Sequence, residues 1–191
     1  MSAPWLPLLK DALDRQADRP ESRWVQLATV RANGRPANRT LVFRGFLGLS
    51  GILQFTTDTR SAKVEQIALC PWAAACWSLP ETREQFRLTG RVALIDEKTP
   101  GVLLQGTRRS AWAELSGSVR LSFAWPAPGE VRDEASRFEV EPPDASTPLP
   151  SFGLLLLEPE EVDYLDLKPT PQRRQQFLRT GDVWTVSDRN P

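Results

Sequence analysis

Apolar and polar residues alternate in short runs along most of this chain, and that period of two predicts strands. Residues 24–30 and 36–44 form the first pair, with Asn33-Gly34 between them as a tight hairpin turn. Residues 52–57, 72–79 and 85–95 continue the series. In the last of these, Gln85, Arg87 and Thr89 alternate with Phe86 and Leu88, while Trp72-Ala-Ala-Ala-Cys-Trp77 reads as a buried strand. A helical period governs residues 4–17, where Trp5, Leu8, Leu9 and Leu13 share one side, and a second helix is expected near residues 61–69. Two short helices follow, over residues 97–105 and 108–115. Six prolines between Pro126 and Pro150 then mark a long loop, with room for a helical turn or two near residues 131–138. Strands resume at 152–157 and 162–167, and a last pair ends at Trp184. Short antiparallel strands at this spacing predict a mainly β fold with added helices, closed as a barrel.

At 191 residues the chain fills one good core, and a single domain over residues 1–191 is expected. Lysine plus arginine equals aspartate plus glutamate at 24 each, so no overall field draws nucleic acid or an anionic membrane. Any preference for an anion has to be local. Runs such as Leu154-Leu-Leu-Leu157 fall far short of the roughly 20 residues a spanning helix needs. The N-terminal residues, with Asp11 and Asp14, lack the basic and apolar regions of a signal peptide, so the expected location is cytoplasmic. Cys70 and Cys76 have no metal-binding spacing and read as reduced core thiols. The chain has no histidine, which excludes Ser-His and Cys-His nucleophilic schemes, the usual zinc sites and proximal-histidine haem ligation. Flavin chemistry passes this filter, because the isoalloxazine ring itself carries the hydride.

Candidate chemistry concentrates in Phe55-Thr-Thr-Asp-Thr-Arg-Ser-Ala-Lys63, where a strand ends in hydroxyls and opens a helix carrying a lysine. Thr57, Thr59 and Ser61 offer hydroxyls, the first helical turn offers free N–H groups, and Lys63 adds a positive charge, a combination suited to a phosphate. The alternative is that Thr59 or Ser61 is simply an N-cap. Arg39 and Arg44, five apart on the returning strand, face opposite sides of a regular sheet, so one ligand meets both only around an edge or a bulge.

Taken in order, Ala28-Thr-Val, Asn33-Gly, Arg39 through Arg44-Gly45, Phe55-Thr-Thr, Ser61-Ala-Lys63, Cys70-Pro71 and Gln85 before Gly90 resemble the pyridoxamine 5'-phosphate oxidase family. The likeness is greater to a branch of related FMN-binding proteins that share motifs like Ser122-Phe-Ala-Trp-Pro-Ala-Pro-Gly129 and an ending like Val183-Trp-Thr-Val-Ser-Asp-Arg-Asn-Pro191. The resemblance implies an antiparallel, Greek-key-like split barrel that binds FMN, a homodimer with FMN at the interface, and a small-molecule substrate. Carried over by position, it implies cofactor contacts from Arg39, Thr40, Leu41, Val42, Arg44, Thr56, Thr57, Ser61, Lys63, Gln85 and Arg174. It assigns no catalytic side chain and no metal.

Several positions depart from the oxidase. Ala62 stands where it carries an arginine, so a phosphate contact has to come from elsewhere, with Arg60 or a C-terminal arginine as candidates. Ser116-Gly117 replaces a Gln-Ser pair, Leu165 replaces a tryptophan, and Gln172-Arg173-Arg174 lacks the histidine of an Arg-x-His motif. The expected function is therefore an FMN-dependent oxidoreductase acting on an unidentified small molecule. Alternatives are a pyridoxamine or pyridoxine 5'-phosphate oxidase, and a carrier or sensor that binds FMN without turnover.

Overall fold

The computed structural model describes residues 3–191. Alternation builds the sheet. In β1 (Trp24–Val30), Val25, Leu27 and Thr29 are buried while Trp24, Gln26 and Val30 face out. The same in-out rhythm runs through β2 (Pro36–Phe46), β3 (Leu53–Asp58), β4 (Trp72–Leu79) and β5 (Glu84–Ile95). With β6 (Phe152–Asp166) they run antiparallel in the order β3-β2-β1-β4-β5-β6, and β3 pairs with β6 to close a six-stranded barrel. A hairpin of β7 (Arg173–Thr180) and β8 (Val183–Arg189) extends the sheet from β6.

β6 joins the parts. One edge pairs with β5 throughout, while the other pairs with β3 over residues 152–157 and with β7 over residues 161–166. The exchange occurs at Pro159, which has no N–H to donate, next to a bulge at Thr89/Gly90. A Cβ on Gly90 would stand 2.0 Å from the Glu158 carbonyl oxygen, so only glycine allows the two strands to approach there. The sequence suggested two strands, 152–157 and 162–167; the continuous β5 ladder fuses them into one.

Two apolar clusters result. Inside the barrel, Leu27, Phe43, Phe55, Trp77, Phe86, Leu155 and Leu157 pack together, and α1 (Leu6–Asp14) plugs one end with Leu6, Leu9 and Ala12. On the outer face of β6, Phe152, Leu154 and Leu156 pack against Trp112 and Phe123. These come from α3 (Val102–Ala113) and the turn after α4 (Gly117–Ser122). The first half of β6 is therefore buried on both faces, which explains its unbroken leucine run. Helix α2 (Ala62–Leu69) links β3 to β4.

Four expectations need correction. The two helices over 97–105 and 108–115 are one, α3, because Asp96 folds the chain into a turn first. Its Oδ1 accepts from the Lys98 N–H and the Thr99 hydroxyl, and Pro100 and Gly101 (φ +107°) postpone the helix. α4 was not foreseen; Ser116 caps it by accepting from the Val119 N–H. The final strand runs past Trp184 to Arg189. The buried reading of β4 holds for one face only: Trp72 is 41% exposed, and Cys70 and Cys76 are free but half-buried rather than in the core. The long loop carries a single 3-10 turn, Ala135–Phe138.

Candidate functional site

Where β3 turns into α2, the side chains form a cluster rather than a helix cap. Ser61 occupies the N-cap position, yet its hydroxyl caps nothing. It donates to the Asp58 carbonyl at 2.6 Å and accepts from Lys63 Nζ at 2.7 Å. Lys63 Nζ also donates to the buried Thr57 hydroxyl at 3.2 Å. Thr59 donates to the Pro150 carbonyl, so neither hydroxyl serves the N-cap alternative.

Arg39 lies close by on the inward-facing side of β2. Its guanidinium donates to the Leu27 carbonyl at 3.1 Å, the Thr29 hydroxyl at 2.7 Å and Gln66 Oε1 at 2.9 Å. Thr29 in turn donates to Gln66 at 2.6 Å. Burial pushes the Lys63 ammonium below the usual lysine range, and the Arg39 charge pushes it further, with Asp58 partly offsetting both. Burial, then Arg31, lowers Arg39 as well. Neither cation has a carboxylate within ion-pair distance among the described residues. Two half-buried cations held side by side by uncharged partners repel each other, and an anion between them relieves the repulsion.

Both proposed stand-ins for the missing phosphate contact are committed elsewhere. Arg60 grips Asp58 through two bonds of 3.0 and 2.6 Å, which raises its pKa. Arg174 binds Asp163 at 2.8–3.2 Å, and Arg87 binds the same carboxylate at 2.6 Å. Burial works against ionisation of Asp163, but these two arginines outweigh it and hold the carboxyl below its ordinary value.

The other expected residues divide by strand face. Leu41 is buried inside the barrel. Thr56 lines a cleft of about 470 Å³ that begins at Thr57 and Lys63 and ends at Trp125 and Phe138. Thr40, Val42 and Arg44 lie on the opposite face of β2 from Arg39, as a regular strand requires. Gln85 faces outward on β5, opposite Ser78 and Leu165. Arg44 borders a groove of about 410 Å³ with Lys10 and Arg23. Its pKa is lowered by burial and by Arg23.

One chain thus assembles Arg39, Thr57, Ser61 and Lys63 with Thr56 beside them, and leaves Thr40, Val42, Arg44, Gln85 and Arg174 outside that cluster. Thr29 and Gln66 were missed as its supports. Gln66 lies three residues after Lys63, which puts both on one side of α2, and Thr29 falls on the inward parity of β1.

Residues 2–96 match the pyridoxamine 5'-phosphate oxidase FMN-binding domain. The chain is 42% identical to pyridoxine/pyridoxamine 5'-phosphate oxidase 2 of Arabidopsis thaliana, over 99% of this chain and 98% of that one. It belongs to the pyridoxamine 5'-phosphate oxidase FMN-binding family. Within that family it is 30% identical to the pyridoxine/pyridoxamine 5'-phosphate oxidase of Pseudomonas syringae pv. syringae, over 92% of this chain and 81% of the relative. A pyridoxamine 5'-phosphate oxidase-related, FMN binding protein from Nostoc punctiforme has the same fold with a TM-score of 0.95, at 49% identity over the whole of both chains. PhzG from Burkholderia lata shares the fold at 22% identity and a TM-score of 0.80, over 100% of this chain and 94% of that one. FMN is the family's cofactor, and the residues present fit its phosphate: a lysine and an arginine without carboxylate partners among the described residues, each bonded to hydroxyls, Lys63 to Thr57 and Ser61 and Arg39 to Thr29. No helix among the described residues is long and apolar enough to cross a membrane.

Proposed function

We propose that this protein is an FMN-dependent oxidoreductase that works as a homodimer on a small organic substrate. The observation that carries the reading is that Lys63 feels the Arg39 charge while neither cation has a carboxylate partner among the described residues. When bound, FMN supplies hydride chemistry at its ring. Lys63, Ser61 and Thr57 hold the phosphate. Arg39, fixed by Thr29 and Gln66, braces the cluster and adds charge.

The faces of the sheet support the homodimer. Thr40, Val42, Gln85 and Arg174 lie on the outer face, and a second copy would bring such groups to a ligand held at Lys63. That face also suits contact with another chain. Trp24 is 53% exposed at one end and Trp72 41% at the other, and Ala28, Ala74 and Cys76 line a groove of about 380 Å³ between them. The Arg44, Arg23 and Lys10 groove offers an anchor for an anionic group on the substrate. A cytoplasmic location accords with the two free thiols.

A second reading, oxidation of pyridoxamine or pyridoxine 5'-phosphate, is favoured by the 42% identical relative of that name. Against it stand Ser116-Gly117, Leu165 and the histidine-free Gln172-Arg173-Arg174. One set of assays separates the readings. The FMN-loaded protein is given pyridoxine 5'-phosphate in air, and separately NADH or NADPH without oxygen, while flavin absorbance is followed. Pyridoxal 5'-phosphate formation selects the second reading. Bleaching by a nicotinamide alone supports the first, and a flavin that responds to none of the three overturns both.

A further inference from the structure

A phosphate monoester carries roughly −1.5 to −2 charges at neutral pH, more than one lysine balances. Arg39 does not fully make up the difference, because its guanidinium already serves the Leu27 carbonyl, Thr29 and Gln66. Arg60 and Arg174 are held by Asp58 and Asp163. The far wall of the Lys63 cleft carries another cation, Arg132.

Arg132 stacks on the Phe138 ring at 4.6 Å from its centroid, and Phe138 meets the edge of Trp125 at 5.9 Å. Asp58, Glu130 and Asp133 border the same cleft, yet none of them pairs with Arg132. Asp58 is occupied by Arg60. This wall is anchored to the Lys63 side, since Phe123 O accepts from Arg60 Nη2 at 3.3 Å and from the Ser151 hydroxyl at 2.7 Å. Arg132, with no carboxylate partner among the described residues, thus lines one cleft with Lys63 and Thr57, its ring partner Phe138 and Trp125 forming the same wall.

We propose that Arg132 is a further cation of the phosphate site, beyond Lys63 and the already engaged Arg39: it closes over the anion from the segment after α4, across the cleft from Lys63. The inference rests on the flavin reading above, and it gives the cleft a sensitivity to the phosphate rather than to the ring.

The test compares FMN with riboflavin, which has the same ring and no phosphate, by equilibrium quenching of flavin fluorescence in wild-type protein, R132A, R132K and K63A. Wild-type protein prefers FMN. R132A weakens FMN binding about tenfold, the effect of one charge-assisted contact at a partly exposed position, and leaves riboflavin within twofold. R132K recovers most of the loss. Parallel weakening of both ligands in R132A makes the residue merely structural and overturns the inference. So does an unchanged preference for FMN in R132A when K63A has lost it. Equal binding of both ligands by wild-type protein, or none, overturns the flavin-phosphate reading itself.

Discussion

Replacing Lys63 with alanine separates function from stability. In the free protein the Lys63 ammonium is half-buried, faces the Arg39 charge and has only hydroxyl partners. Its lowered pKa means that folding disfavours the charged form, so charged Lys63 costs stability at neutral pH, and the cost is relieved as pH rises through that lowered value. Lys63→Ala removes the cost and leaves Thr57 and Ser61 in contact through their hydroxyls, 3.5 Å apart. The ligand-free variant should melt at or above the wild-type temperature. Its affinity for FMN should fall, because one charge-assisted contact to phosphate is worth about 2 kcal/mol, or roughly 30-fold in Kd. The assays are a thermal melt without flavin and a fluorescence titration with it. A Kd within threefold of wild type refutes the phosphate assignment. A melt lowered by several degrees refutes the electrostatic argument, since the lost affinity would then reflect a damaged fold.

Three further predictions follow from the same geometry. FMN affinity should decline as pH rises into the alkaline range, beginning at lower pH than a solvated lysine would give, and Lys63→Arg should remove the decline; a flat profile in wild-type protein would contradict this. Ala74→Arg, at the centre of the outer groove, should convert a dimer into a monomer by light scattering and weaken FMN retention; a dimer that persists would place the interface elsewhere. Tyr164→Phe should cost about 1–2 kcal/mol by urea unfolding, because Glu84 loses a buried 2.6 Å bond while Arg15 still holds its other oxygen, and flavin affinity should be untouched.

Strand parity made much of the barrel legible. Arg39 and Arg44 fall on opposite faces of β2 as their spacing required, and the hydroxyl-rich turn before Lys63 gathers Thr57, Ser61 and Lys63 into one cluster. Long-range effects were not legible. That β6 is one strand depends on Gly90, sixty-eight residues before Glu158 in the chain, being small enough to let the β6 backbone pass. Arg60 looked free in sequence because nothing there shows that Asp58, two residues back, curls round to accept from both its Nε and its Nη2. Arg132 drew no notice amid a charged, proline-rich loop; only the fold brings that loop across from Lys63. Thr29 and Gln66 had a visible signal in their parity and helical spacing, but their partner Arg39 lies on another strand.

The most direct test of the central claim is a crystal structure of the protein grown with FMN. The flavin phosphate is expected within about 3 Å of Lys63 Nζ and the Ser61 hydroxyl, with groups from the outer face of a second copy completing the site. A phosphate bound elsewhere, with Arg39 and Lys63 still facing one another and no anion between them, would contradict it.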